Sequence, residues 1–296
     1  MAGSTPPDGW RLWLAGARPR TLPAAVVPVV VGTAAAVGDG PIIWWRALAA
    51  MVVSLALQVA TNYVNDYADG ERGTDTDRVG PLRLVGSGLV PASRVKLAAL
   101  AAFAVAGVAG LVLAWAVGPE LLVVGALSML AGWAYTGGPR PYGYLGMGEL
   151  FVFVFFGLVA TVGSTYVQVE RVTTPAVLAA IPVGLLVVDL LVINNLRDIP
   201  GDTVSGKRTL AVRIGDAATR RLYVALIVGA GLGIVACALV RPAALLGLVG
   251  LVSAVGPVRV VRSGATGPAL IPALGATGRI QLLTGSLLAV GLAVGG

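Results

Sequence analysis

The sequence predicts an all-α fold, a multi-pass bundle of about nine transmembrane helices with its N-terminus on the cytoplasmic side. Three observations predict it: an apolar composition, the recurrence of apolar stretches near bilayer length, and a one-sided placement of the cations. Of 296 residues, 57% belong to the hydrophobic set and 12% are charged, with a mean hydropathy of +0.88. A soluble domain holds roughly 45–50% apolar residues, so a water-soluble fold is excluded.

The apolar stretches fall at about 22–38, 42–62, 97–117, 121–135, 150–168, 175–194, 222–240, 243–258 and 280–295. Most approach the roughly 20 residues that cross a bilayer. Residues 1–20 lack the charged start, short apolar core and small-residue cleavage site of a secretory signal, so the first stretch is expected to stay as a helix. The second runs out in an acid-bearing segment at Asn62. Gly107 with Gly110 in the third stretch, and Gly229 with Gly233 in the seventh, suit close helix packing rather than chemistry. The fourth is short, and Glu149 opens the fifth. The sixth contains Asp189, nine residues before Asp198 and so about 13 Å deeper along a helix. It either faces a cavity or is protonated and bonded to a neighbouring helix, the second being the favoured reading. Glycine and proline between Gly256 and Gly275 blur the break between the last two stretches, which leaves eight spans as the alternative to nine. A single domain over 1–296 is expected.

The net charge is +7. Such a balance attracts nucleic acid on a soluble protein, but its distribution here points to membrane anchoring and no nucleic-acid partner. With the N-terminus inside, 18 of the 21 cations fall on cytoplasmic segments, against Arg46, Arg171 and Arg241 outside. That ratio sets the orientation. One cysteine, Cys237, and no histidine exclude internal disulfides, ordinary zinc sites and imidazole acid/base chemistry. A catalytic metal would be held by oxygen, which points to Mg²⁺, with Mn²⁺ as the alternative.

Eight of the 14 acids gather in two segments. The first reads Asn62-Tyr63-Val64-Asn65-Asp66-Tyr67-Ala68-Asp69, where Asn62, Asp66 and Asp69 share one helical face. The second, Asn194-Asn195-Leu196-Arg197-Asp198-Ile199-Pro200-Gly201-Asp202, repeats the Asn-to-Asp spacing of four in Asn194 and Asp198. Basic stretches follow each, Gly80-Pro81-Leu82-Arg83 and Gly206-Lys207-Arg208-Thr209, so the two read as related halves of one site. Carboxylates that hold a divalent cation, with lysines and arginines neutralising what remains, are the requirement of a metal-bridged diphosphate. The implied substrate is an anion with an apolar tail.

At these residues the chain resembles the UbiA superfamily of intramembrane prenyltransferases, whose two aspartate-rich motifs lie at the cytoplasmic ends of the second and sixth helices. The similarity runs from about Trp10 to Gly215. Within that superfamily it resembles the 1,4-dihydroxy-2-naphthoate polyprenyltransferases of menaquinone synthesis through several runs. These are Arg18-Pro19-Arg20-Thr21-Leu22, Asn65-Asp66-Tyr67-Ala68-Asp69-Gly70, Tyr135-Thr136-Gly137-Gly138-Pro139 and Asn194-Asn195-Leu196-Arg197-Asp198. Gly206-Lys207-Arg208-Thr209-Leu210-Ala211-Val212-Arg213 completes the set. The resemblance implies a plasma-membrane enzyme of cytoplasmic-side chemistry, and the alanine, valine and glycine content fits a GC-rich bacterial genome. It implies Mg²⁺ held by Asp66, Asp69, Asp198 and Asp202, and substrate contacts from Asn62, Arg83, Arg140, Tyr135, Asn194, Asn195, Lys207 and Arg208. Gly70 stands where the superfamily often has a further aspartate, so Asp69, Asp75 and Asp77 compete to complete the first metal shell.

The substrates so implied are a polyprenyl diphosphate and 1,4-dihydroxy-2-naphthoate. Tyr63, Tyr67, Tyr135 and Tyr142 sit where an aromatic face stabilises a carbocation, although tyrosine is also an ordinary interface residue. The acceptor's carboxylate calls for an arginine; Arg18 and Arg20 are available, and membrane anchoring accounts for both without it. The rival readings are another aromatic acceptor, 4-hydroxybenzoate or homogentisate, and a membrane transporter. Against the transporter, the acids cluster at one face rather than the midplane.

Overall fold

The computed structural model describes residues 8–74 and 82–296, so Asp75, Asp77, Gly80 and Pro81 lie outside the described residues. A short helix α1 (Gly9–Ala17) leads into α2 (Pro23–Ala35), α3 (Trp44–Glu71), α4 (Ala92–Val117) and α5 (Glu120–Ala134). There follow α6 (Gly148–Val169), α7 (Thr174–Val204), α8 (Leu210–Ile214), α9 (Asp216–Ala238), α10 (Pro242–Arg262) and α11 (Gly267–Val294). No strand occurs among the described residues.

A helix overlies each of the nine predicted stretches. Seven of them, α3, α4, α6, α7, α9, α10 and α11, have the length and apolarity to cross a membrane. The other two, α2 and α5, have 13 and 15 residues, which at about 1.5 Å each fall short of a hydrocarbon core about 30 Å thick. The last helix begins at Gly267 rather than near residue 280. Its middle holds Arg279 and the buried Thr277 and Gln281, which lower its apolarity without ending the helix.

α7 is the axis of the bundle. It is the most buried of the long helices and packs against α2, α6, α9 and α11. One core cluster joins Leu186, Val188 and Ile193 of α7 to Tyr223 and Leu226 of α9 and Ile280 of α11. On the other side α3 packs along α4. The outward faces stay apolar, with Leu97, Val108, Leu111 and Trp115 of α4 exposed, as a lipid-facing surface requires.

Small residues permit the closest approaches. A Cβ at Gly157 would stand 2.6 Å from the Cα of Gly184, so α6 and α7 meet backbone to backbone there. Around that contact, Phe153–Val159 of α6 forms a π-helical turn, which rephases the side chains on either side of it.

The cations expected outside do gather at one end of the bundle. Arg46 pairs with Glu170 at 2.9 Å, Arg171 with Asp39 at 2.6 Å, and Arg241 with Asp39 at 3.6 Å. The acid motifs sit at the other end, because α3 and α7 continue well past Asn62 and Asn194 and carry the aspartates on their final turns.

Candidate active site

Two adjoining cavities define the site. The larger, about 790 Å³, runs between α2, α3, α4, α5, α6 and α7 and is lined mostly by apolar side chains. The smaller, about 40 Å³, is polar and lies beyond the ends of α3 and α7. Asn65, Arg83, Tyr135 and Asn194 line both and mark the junction.

The polar chamber brings together Asp69, Asp198 and Asp202 with Lys207, Arg83 and Thr209. Asp69 is nearly inaccessible. Its Oδ2 meets Lys207 Nζ at 3.0 Å and Arg83 Nη2 at 3.5 Å, and the Tyr144 hydroxyl donates to its Oδ1. Burial, then the Asp69 charge, pushes the Tyr144 phenol above its ordinary value, so the hydroxyl remains a donor. Asp198 receives a two-pronged bond from its neighbour Arg197, Nε to Oδ1 at 2.7 Å and Nη2 to Oδ2 at 2.8 Å. Arg197 Nη2 also reaches Asn194 Oδ1 at 2.9 Å. Asp202 accepts from Thr209 at 3.5 Å, and Asn195 donates to Glu149 at 3.0 Å.

Several predicted site residues lie elsewhere. Both oxygens of Asp66 accept backbone N–H groups, from Leu84 at 2.8 Å and Val85 at 3.0 Å. The buried carboxylate thereby fixes the segment that carries Arg83, and it does not line the chamber. Asn62 donates to Ala17 O at 2.9 Å and Thr21 Oγ1 at 3.2 Å, tying α3 to the turn before α2 while lining the large cavity. Arg140 and Arg208 are exposed and line neither cavity. Tyr63 donates to Trp13 O and Tyr67 lies under Lys96, both away from the cavities. Tyr142 stacks on Phe151 at 4.0 Å and meets Tyr135 edge-on at 5.5 Å, an aromatic wall for the large cavity. Asp189 is fully buried and lines neither cavity. Neither of its oxygens has a hydrogen-bond partner among the described residues, so the bond to a neighbouring helix is not seen.

Sequence reasoning missed Asn65, Arg72 and Tyr144. The spacing that pairs Asn194 with Asp198 also pairs Asn65 with Asp69, and it is this pair that faces the chamber. Arg72 fastens the turn after α5 through Thr136 O and Gly138 O, both at 2.6 Å. Its guanidinium lies 5.3 Å over the Tyr144 ring, with Lys207 Nζ at 4.9 Å from the same ring.

The donor set suits a hard divalent cation, since every potential ligand is oxygen. The Thr136 hydroxyl, buried in the chamber wall, has no hydrogen-bond partner among the described residues. Among the described residues no three acids stand together as a ready-made cage; Asp69 pairs with Lys207 and Arg83, and Asp198 with Arg197. A cation held by one or two carboxylates and completed by substrate phosphates fits that arrangement.

An integral membrane bundle whose apolar cavity opens on a chamber of aspartates and cations defines a protein that handles an anionic head with an apolar tail. The chain belongs to the UbiA prenyltransferase family, whose model matches residues 25–268. It is 49% identical over 283 residues to the 1,4-dihydroxy-2-naphthoate octaprenyltransferase of Mycobacterium tuberculosis, covering 96% of this chain and 97% of that one. It is 32% identical to the protein of the same name in Bacillus subtilis, over 94% of this chain and 90% of the relative. Among solved structures, a UbiA homolog from Archaeoglobus fulgidus bound to GPP and Mg2+ superposes with a TM-score of 0.70 at 14% identity. It covers 95% of this chain and 99% of that one, a likeness of fold.

Proposed function

We propose that the protein transfers a polyprenyl group from polyprenyl diphosphate to 1,4-dihydroxy-2-naphthoate, releasing diphosphate and CO₂ and giving demethylmenaquinol, the reduced form of demethylmenaquinone. The carrying observation is that the pairs Asn65–Asp69 and Asn194–Asp198 face one polar chamber at the head of an apolar cavity. The naphthoate follows from the 49% identical relative across nearly the whole chain. We take residues 1–296 as one catalytic domain in a bacterial plasma membrane, with the chamber on the cytoplasmic side, the orientation favoured by the cation bias.

Asp69, Asp198 and Asp202, with Asn65 and Asn194 beside them, would hold Mg²⁺, or Mn²⁺ in its place. The bound ion supplies charge neutralisation for the departing diphosphate. Lys207 and Arg83 meet outer phosphate oxygens, and Tyr144 keeps Asp69 oriented. The allylic C–O bond breaks with its electron pair going to diphosphate, and the electron-rich ring carbon bearing the carboxylate supplies the pair for the new C–C bond. The bond to the carboxylate then breaks, leaving CO₂ and returning its pair to the ring. Tyr135, Tyr142 and Phe151 face the electron-poor carbon and keep water from it.

The test is a membrane assay with a polyprenyl diphosphate, Mg²⁺ and labelled acceptors, comparing wild type with Asp69→Asn. Product from the naphthoate, absent with EDTA and with the variant, supports the reading. Prenylation of 4-hydroxybenzoate instead would overturn the acceptor, and metal-independent product would overturn the chamber's role.

A further inference from the structure

An aromatic acid in the large cavity needs a cation that the diphosphate does not occupy, and this inference rests on the naphthoate reading above. Arg18 closes α1 in the left-handed backbone region, φ 55° and ψ 70°. A non-glycine residue is disfavoured there, and the following Pro19 restricts its backbone further. Glycine is the usual occupant of such a helix end. The strain sets the base of this side chain at the wall of the large cavity, together with Thr21, Gln58 and Asn62.

Arg18 Nη2 is buried and has no hydrogen-bond partner among the described residues. No acid pairs with Arg18 among them either. One other arginine nitrogen lining this cavity is similarly unpartnered, Nη1 of Arg197, but Asp198 already neutralises that guanidinium. Arg18 is therefore a half-buried cation with one buried, unpartnered nitrogen and no counter-charge among the described residues, on a wall it shares with Thr21, Gln58 and Asn62, an arrangement that an anion would complete. It does not line the polar chamber, which sets it apart from Lys207 and Arg83 at the diphosphate head.

We propose that Arg18 binds the carboxylate of the aromatic acceptor and sets the preference of the cavity for an acid. It acts on binding and orientation, with the carboxylate leaving only after the new C–C bond has formed.

Purified full-length protein in detergent tests this through dissociation constants for 1,4-dihydroxy-2-naphthoate and its neutral isostere 1,4-dihydroxy-2-naphthamide, followed by tryptophan fluorescence. Arg18→Gln removes the charge, and Arg18→Gly removes it while relieving the backbone, so a folding defect in the first is absent from the second. Wild type is expected to prefer the acid by roughly 10- to 100-fold, the range of a charge-assisted bond. Both variants should lose that preference, hold the amide as before, and keep the KM for polyprenyl diphosphate. Equal weakening of both ligands, or a raised KM for the diphosphate, would overturn the proposal, as would a wild type indifferent to the carboxylate. A wild type that prenylates no naphthoate at all would instead remove the reading beneath it.

Discussion

The two ends of the bundle use the same residue types for different ends. At the first, Arg46 donates to Ala116 O and Val167 O at 3.0 Å each, and Arg241 to Leu292 O and Val37 O at 2.7 Å each. These guanidiniums satisfy the final carbonyls of helices that would otherwise have no partner. At the second end, Arg83, Lys207 and Arg197 turn to carboxylates around an open chamber. An arginine aimed at backbone holds helices together, whereas one aimed at a carboxylate beside a cavity holds charge in readiness for a ligand. The difference separates stability from activity along one molecule.

The sharpest break in that comparison is Asp69→Asn, which is expected to lower prenyl transfer by roughly two to three orders of magnitude with little change in thermal melting. A melting loss matching the activity loss would put Asp69 in the scaffold. Next comes the contrast between the two asparagines of α3. Asn65→Ala should cut kcat roughly 10- to 100-fold by opening the chamber wall, while Asn62→Ala should cost about 1–3 kcal/mol of stability by releasing Ala17 O. Equal kinetic effects in a steady-state assay would erase the distinction drawn between them.

Arg241→Ala tests the opposite end. It leaves the buried carbonyl of Leu292 and the half-buried one of Val37 without their donor, a loss of about 2–3 kcal/mol read as a lower melting temperature in detergent, with kcat at low temperature unchanged. The smallest effect belongs to Asp39→Asn. Its pair with Arg171 is largely exposed, 59% on the arginine side, and its contact with the buried Arg241 is long, at 3.6 Å, so the change should stay within about 1 kcal/mol; a larger shift would mean that this end, too, depends on its acids.

The spans were legible because length and apolarity are properties of a stretch by itself. The start of α11 was not, since Thr277 and Gln281 look like interruptions until neighbouring helices bury them. The acid motifs were legible as a pair of clusters, but the face of α3 was not. Asn62 with Asp66 and Asn65 with Asp69 satisfy one spacing equally, and only the packing of α3 against α2, α4 and α5 decides which pair turns to the chamber. That Asp66 also fixes the loop at Leu84 and Val85 was not legible, because a carboxylate within a motif carries no sign of which backbone N–H groups its oxygens will accept. Tyr144 and Arg72 act across elements that are 64 to 75 residues apart in the chain, a distance over which periodicity says nothing.

The glycine pair at Gly157 and Gly184 has a consequence for anyone reshaping this protein. α7 meets at its middle the helix α6 that carries the cavity-lining Phe151 and Phe155, and presents Asn194 and Asp198 nearer its end. A bulkier residue at either glycine, chosen to alter the room for a prenyl tail, would push on the same rigid rod that aims the head-group ligands. Tail length and turnover are thus geared to one another, and a redesign of the one has to be re-tuned at the other.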